Sequence, residues 1–425
     1  MLDLKYLRDH AEEAGRRLST RGLDGAAQVA DVLSHDARRR ELLQKVEALK
    51  AERNKASKEI GQMKAQGRTD EALLARMKQV SDEIAALDAA VAGVEEEQKA
   101  LLLTVPNLPH ASLPVGDAAA NRVERTWGAP PQFSFAPKTH MDIGAARGLL
   151  DLPAGAKVSG SGFVVFRGAG ARLERALINY LLDFHTRPAA GFDAYEEVAV
   201  PFLVREECMV GTGQLPKFAE DMYRLAEENL YLIPTAEVPV TNLFREEILS
   251  ADQLPVRRVA YTPCFRREAG SAGRDTRGMI RVHQFDKVEM VQIVRPEESY
   301  AALEHLVAQA EGILQALGLH YRVLTLATGD VGFGAAKCYD LEVWAPGLDT
   351  WLEVSSCSNF EDFQARRMGL RYKTAEGKNA FCHTLNGSGT ALARLFVALL
   401  ETHQQPDGSV RVPEPLRPYL GLETL

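Results

Sequence analysis

Residues 73–105 read LLARMKQVSDEIAALDAAVAGVEEEQKALLLTV. Apolar side chains recur there at alternating steps of four and three: Leu73, Met77, Val80, Ile84, Leu87, Val91, Val94, Leu101 and Val105, broken at Gln98. A sustained 3.5-residue period marks a coiled-coil seam. Upstream, Leu42, Val46, Leu49, Ala56, Ile60 and Met63 repeat the pattern, with Arg53 at an intervening seam position. The short polar run Gln66-Gly67-Arg68-Thr69-Asp70 separates the two stretches. Two helices joined by so tight a turn must run antiparallel. At about 1.5 Å per residue, such an arm reaches roughly 50 Å.

The arm is basic, whereas the whole chain carries a formal net charge of −8. Between Arg38 and Lys78 lie twelve Lys or Arg residues against six Asp or Glu, with Arg38, Arg39, Lys45, Arg53, Lys55 and Lys58 among the former. Two readings are open. One is a solvated face laced with i,i+4 pairs such as Glu41–Lys45. The other is an electrostatic address for a phosphate backbone.

The 425 residues suffice for two or three domains with a substantial core, and the composition is that of a soluble globular protein. No apolar stretch can span a bilayer, since the strongest, 391–400, is short and holds Arg394. The charged N-terminus does not read as a secretory signal. Five scattered cysteines without a CxxC pair fit a reducing cytoplasm and no disulfide framework. Residues up to about Leu33 read as a short helical cap. The hairpin ends at Val105-Pro106-Asn107-Leu108-Pro109, where two prolines forbid helix.

The expected division is an N-terminal domain over 1–110, an irregular linker over 111–132 and a second body over 133–425. In that body 171–186 is an amphipathic helix stopped by Pro188 and Gly191. Strand patterns recur at 197–200, 230–233, 256–261, 281–294, 321–326, 339–344 and 350–357, with a hairpin turn over 345–349. The fold class is therefore α+β: a helical arm plus a mainly antiparallel sheet flanked by helices. The strand–helix alternation and glycine fingerprint of a Rossmann fold are missing.

The segment 264–289, CFRREAGSAGRDTRGMIRVHQFDKVE, leads from one strand through a basic, glycine-containing loop into another. Arg266, Arg274, Arg277 and Arg281 suit a polyphosphate, because guanidinium forks match phosphate oxygens. Phe285 could stack on a base. The competing reading is a solvated basic loop with Phe285 in the core. Arg394, in a helix of alanines, leucines and a phenylalanine, is hard to explain structurally, since an unpaired charge there is costly to bury.

This segment resembles motif 2 of the class II aminoacyl-tRNA synthetases, with Arg266 and Glu268 as its signature. Residues 385–395, LNGSGTALARL, are similar to motif 3, and a long helix ending near Pro201 is similar to motif 1. More narrowly, 105–109, 211–216, 235–237, 353–356 and 412–419 resemble the bacterial-type seryl-tRNA synthetases, and the likeness spans essentially the whole chain. The resemblance implies a class II catalytic domain that activates L-serine with ATP and transfers the seryl group to tRNA(Ser), with tRNA(Sec) an optional second acceptor. It implies ATP contacts at Arg266, Arg267, Glu268, Arg281, Val282, Phe285, Glu353, Val354, Ser355, Ser356 and Arg394. Among these, Arg266 and Arg394 would be catalytic. Serine contacts fall on Thr235, Ala236, Glu237, Arg266, Glu289 and Ser388, and Mg2+ ligands on Glu353 and Ser356, whose oxygens suit that hard cation. A cytoplasmic homodimer is implied, with the arm on tRNA and no role for membrane or DNA.

Two rival functions use parts of the same sequence. One is an amino acid ligase that loads a carrier protein through an adenylate. Relatives of that kind lack a long arm and look zinc-dependent. The other is a catalytically idle paralogue that binds RNA, against which stands the joint presence of Arg266, Glu268, Glu353 and Arg394.

Overall fold

The computed structural model describes residues 1–187, 189, 191–269 and 278–425. Pro188, Arg274 and Arg277 lie outside the described residues. The chain divides into two compact units: Leu2–Ser19 with Leu23–Pro106, and Met1 with Thr20–Gly22 and Asn107–Leu425.

The first unit is all helix: α1 (Leu4–Asp9), α2 (Ala11–Ser19), α3 (Gly25–Ala65) and α4 (Glu71–Thr104). The region up to Leu33, read as a short cap, instead contains the start of α3. Asp24 caps that helix by accepting from the Ala27 N–H at 3.0 Å. Only glycine fits at position 25, because a Cβ there would lie 2.4 Å from the Gly15 carbonyl oxygen of α2. Asp70 caps α4 in the same way, accepting from the Leu73 N–H at 3.0 Å. Val46 and Ala56 of α3 and Val80, Ile84, Val91 and Val94 of α4 are buried along the seam. Gln98 is buried with them, so the polar gap in the ladder stays inside it. The antiparallel sense shows in the cross-helix ion pairs Arg39–Glu95 at 2.7 Å, Lys50–Asp88 at 3.1 Å and Arg76–Glu52 at 3.1 Å.

The second unit is built on an eight-stranded sheet: β1 (Arg122–Trp127), β2 (Glu196–Glu197), β3 (Val256–Phe265), β4 (Gln284–Val294), β5 (Tyr321–Thr325), β6 (Lys337–Ala345), β7 (Thr350–Asn359) and β8 (His383–Ala391). Their order across the sheet is β1-β5-β6-β7-β8-β4-β3-β2. Every neighbouring pair is antiparallel except β2 with β3. The supposed linker 111–132 is thus only partly irregular, since 122–127 forms an edge strand. Its side chains are all exposed and mostly polar, so no buried alternation marks it in the sequence.

β8 is central, yet residues 385–391 show no strand signature because three of the seven are glycine or serine at 387–389. The fold needs them small. A Cβ on Gly387 would lie 2.8 Å from Leu306 and 2.9 Å from Cys357 Sγ, and one on Gly389 2.3 Å from His185 Nε2.

Helices α5 (His140–Ala146), α6 (Ala169–Thr186), α7 (Glu237–Asn242), α8 (Ser299–Ala316) and α9 (Leu392–Thr402) flank the sheet. Leu173, Leu177 and Leu181 of α6, Leu303, Leu306 and Ile313 of α8, and Leu395, Phe396 and Leu399 of α9 share one core with Val288, Met290 and Leu341. The helix expected to end near Pro201 ends at Thr186; β2 and irregular chain separate the two. Strand alternation then turns Phe285, Lys287 and Glu289 of β4 to the opposite side from Val288 and Met290, where a cleft opens.

Candidate active site

The cleft has a volume of about 690 Å³, within the range of sites for small ligands. Arg266 follows β3, where its backbone N–H donates to the His283 carbonyl at 2.9 Å. Its guanidinium donates to the Pro234 carbonyl at 3.3 Å and lies 5.2 Å from the centre of the Phe285 ring. Phe285 is therefore partly buried: it packs against the edge of the main core and also lines the cleft, where a cation already covers part of its ring. Glu268, at φ +51°, pairs with Arg281, and both line the cleft beside Val282.

Across the cleft Arg394 rises from the first turn of α9. Its Nε donates to the Ile280 carbonyl at 3.0 Å and Nη1 to the Glu353 carbonyl at 2.8 Å, and the guanidinium lies 3.5 Å from the Glu353 carboxylate. The anomaly seen in the sequence is thus resolved: this arginine is held by backbone oxygens and faces the cleft.

Glu353 and Ser356 are three residues apart, a spacing that puts them on opposite faces of a regular strand. Here the β6–β7 register slips between Leu341 and Glu342, leaving Val354 as the extra residue. The bulge re-aims the strand so that Glu353, Val354 and Ser356 all border the cleft. Asp340 sits opposite Ser356 in the register. Burial first, and the nearby Glu353 carboxylate second, push the Asp340 carboxyl well above its ordinary range. Asp340, Ser356 and Glu353 thus form a neighbouring set of oxygen donors suited to a hard divalent cation, with the Arg394 guanidinium beside Glu353 as the adjoining positive charge.

The deep end is polar and closed. Glu289 faces Ser388 across the β4–β8 register. Its carboxylate accepts from Ser388 Oγ at 3.3 Å and from the Asn386 amide at 3.1 Å, and it pairs with Lys287. Lys287 also donates to Thr235 Oγ1 at 2.8 Å. With 1% of its surface exposed, Glu289 is no solvent-facing edge carboxylate. Glu237, opening α7, accepts from the Gln364 amide at 2.6 Å. Burial pushes its carboxyl up to about 7; Glu289 adds to the rise, while Gln364, Lys287 and Arg266 oppose it.

Three expected residues do not border the cleft. Ala236 is packed among Val200, Val240 and Ala260, and Ser355 donates to the Ser388 carbonyl at 2.5 Å. Arg267 donates its backbone N–H to Asp221. They brace the wall. Sequence reasoning overlooked Lys287, Asn386 and Asp340. Their signals were alternation with Glu289 along β4 for Lys287, alternation with Ser388 along β8 for Asn386, and a place across the 345–349 turn from Ser356 for Asp340. Of the stretch 211–214, which could also be a plain turn, Thr212, Gly213 and Gln214 line the cleft, and the Thr212 carbonyl accepts from Gln364 at 3.1 Å.

Of the six arm cations singled out, three are engaged internally: Arg38 with Glu97 at 3.6 Å, Arg39 with Glu95, and Lys45 with Glu41 at 2.7 Å. For Arg53, Lys55 and Lys58 no ion pair forms among the described residues. Lys55 and Lys58 are exposed and Arg53 half-buried.

Comparison with known proteins matches residues 1–109 to the seryl-tRNA synthetase N-terminal domain and 220–403 to the tRNA synthetase class II core domain (G, H, P, S and T). A serine–tRNA ligase of Akkermansia muciniphila is 56% identical over 426 residues, covering 100% of this chain and 99% of its own. The chain belongs to the seryl-tRNA synthetase family. Among solved structures, the family member from Pyrococcus horikoshii complexed with ATP superposes with a TM-score of 0.94 at 37% identity, covering 100% of this chain and 99% of its own. The cytoplasmic enzyme of Naegleria fowleri in complex with AMP gives 0.88 at 29% identity, with 100% and 98% covered. The family likeness therefore extends through the helical unit as well as the sheet.

Proposed function

We infer that the protein is a serine–tRNA ligase that forms seryl-adenylate from L-serine and ATP and passes the seryl group to tRNA(Ser). The observation that carries this reading is a single cleft with two chemistries. Its outer part offers Arg266, Arg281 and Arg394 to phosphates, and its deep end offers Thr235, Glu237, Glu289 and Ser388 to a small amino acid.

In the first step a serine carboxylate oxygen attacks the α-phosphorus, and the bond to the bridging oxygen breaks to release pyrophosphate. A carboxylate is already ionised near neutral pH, so no general base is needed. Arg266 aligns the carboxylate with the phosphorus and offsets the charge that builds there. Arg394 and Phe285 enclose the adenine, Val282 offers backbone contacts to it, Glu268 holds its edge, and Arg281 assists at the phosphate tail. Glu353 and Ser356 would hold Mg2+, which supplies charge neutralisation at the phosphates. In the second step the 3′-hydroxyl of the tRNA attacks the seryl carbonyl and AMP leaves.

Selectivity for serine follows from buried groups that expect a hydroxyl. Alanine or glycine would leave Ser388 and Glu289 short of a partner, a costly outcome. Pyrophosphate exchange with serine, threonine, alanine and glycine in parallel tests the reading: serine alone should support rapid exchange, and exchange independent of serine would overturn it. The exposed Lys55 and Lys58 support the arm as the tRNA grip, by phosphate contact and shape. The motif 1 likeness supports a homodimer, and five free cysteines fit a cytoplasmic location. The long arm and the jointly placed Arg266, Glu268, Glu353 and Arg394 speak against a carrier-protein ligase and an idle paralogue.

A further inference from the structure

Behind the cleft wall lies a fully buried hydrogen-bonded pair that no step above uses. Glu401, in the last turn of α9, and His140, the first residue of α5, have side chains with 0% of their surface exposed. Glu401 Oε1 lies 2.9 Å from His140 Nδ1 and accepts the His140 backbone N–H at 2.9 Å. Its Oε2 accepts the backbone N–H groups of Gly347 at 2.9 Å and Leu348 at 3.1 Å. Four contacts saturate the carboxylate. On the other side of the ring, the Met279 backbone N–H donates to His140 Nε2 at 3.2 Å. A donor can approach only a bare ring nitrogen, so the imidazole proton sits on Nδ1, facing Glu401. Close approach is built in: Gly278 has φ +66°, and a Cβ there would lie 2.1 Å from Nε2.

Met279 is followed by Ile280, whose carbonyl accepts Arg394 Nε at 3.0 Å. Arg394 and Glu401 belong to the same helix, α9. The segment 278–280 is thus tied to that helix twice, by Ile280 at its first turn and through His140 at its last.

We propose that His140 is a positioning residue for nucleotide binding: by holding the Met279 N–H it fixes the Ile280 carbonyl, which aims the Arg394 guanidinium into the cleft. Orientation of a ligand-contacting group by a buried hydrogen-bonded neighbour is a general device. The inference rests on the reading of Arg394 as a nucleotide contact.

Two substitutions separate positioning from plain core packing. His140→Gln sets its terminal amide near the place of Nε2 and keeps an acceptor for Met279. His140→Asn reaches only to the place of Nδ1, keeps the link to Glu401, and leaves the Met279 N–H unpaired. In pyrophosphate exchange, His140→Asn should raise the KM for ATP about fivefold to tenfold and leave the KM for serine within about twofold, the scale of one lost hydrogen bond. His140→Gln should recover most of the ATP affinity even if both variants melt at the same lowered temperature. An unchanged ATP KM in His140→Asn overturns the proposal, as do ATP and serine KM values that rise together with lost stability. Should neither variant fold, ATP added to the unaltered protein carrying 15N-histidine should shift the His140 ring nitrogens while serine does not; no shift with ATP is equally fatal. Failure of the parent reading appears separately, as absent serine-dependent exchange in the unaltered protein.

Discussion

At the scale of single residues, Arg266 and Glu237 carry the sharpest expectations. Arg266 stands over Phe285 in the cleft, 5.2 Å from the ring centre, and among the described residues its side chain makes one backbone contact, to Pro234. Little of the fold depends on its guanidinium. Arg266→Ala should therefore abolish serine-dependent exchange, by about 10²-fold or more for a lost charge-stabilising donor. Circular dichroism and melting temperature should remain close to those of the unaltered protein. Glu237 is the opposite case, a carboxyl raised by burial to about 7. From the ordinary carboxyl value up to about pH 7, the folded protein keeps a proton that the unfolded chain has released. Its contribution to stability accordingly falls as pH rises through that window. Serine's ammonium prefers the ionised form, so kcat/KM for serine should climb over the same range and level off above it. Glu237→Gln should remove both inflections, as read by thermal melts and exchange rates against pH.

At the scale of elements, chemistry depends on local departures from regularity. The bulge at Val354 brings Glu353 and Ser356 to one side, and the slip between Lys287 and Glu289 sets Glu289 opposite Ser388. Glycines in β8 let it run beneath α6 and α8. Gly389→Ala would push a methyl group against His185, a ring that burial keeps neutral with its pKa lowered to about 4. Overpacking of this kind costs about 1–3 kcal/mol. Urea unfolding should show that loss, and serine KM should rise because Ser388 is the preceding residue. An alanine variant of unchanged stability would show that His185 can move aside.

At the scale of the whole molecule, the proposed function divides the work between a cleft and an arm. Internal pairing engages Arg38, Arg39 and Lys45, so three of the six arm cations singled out fit a solvated face laced with ion pairs. Lys55 and Lys58 are exposed and form no ion pair among the described residues. Reversing both, Lys55→Glu with Lys58→Glu, should leave exchange unaltered, weaken tRNA binding and lower the salt dependence of that binding by about one unit of slope per lost phosphate contact. Filter binding across a salt series reads both quantities. Unchanged affinity would assign these lysines to the solvated face.

The hairpin was legible from residues 42–105 because a seam repeats: each turn of helix restates the period, and a single Gln98 cannot erase it. Most strands of the sheet were legible from alternation and from the turn at 345–349. β8 and β1 were not. One replaces β-formers with glycine to fit between helices, and the other is an exposed edge with no buried face to pattern. Arg266, Glu268 and Arg394 stood out by their types in unusual surroundings. Lys287, Asp340 and His140 did not, for each is an ordinary residue locally and takes a partner from another element: Thr235, Ser356 and Glu401 respectively. By itself, then, the sequence determined periodicity, charge and family likeness, properties that reside in short spans. Tertiary structure alone decided which carboxylates are buried, which cations are already paired, and which nitrogen of His140 carries the proton. Those follow from distances between segments, and a linear pattern holds no distances.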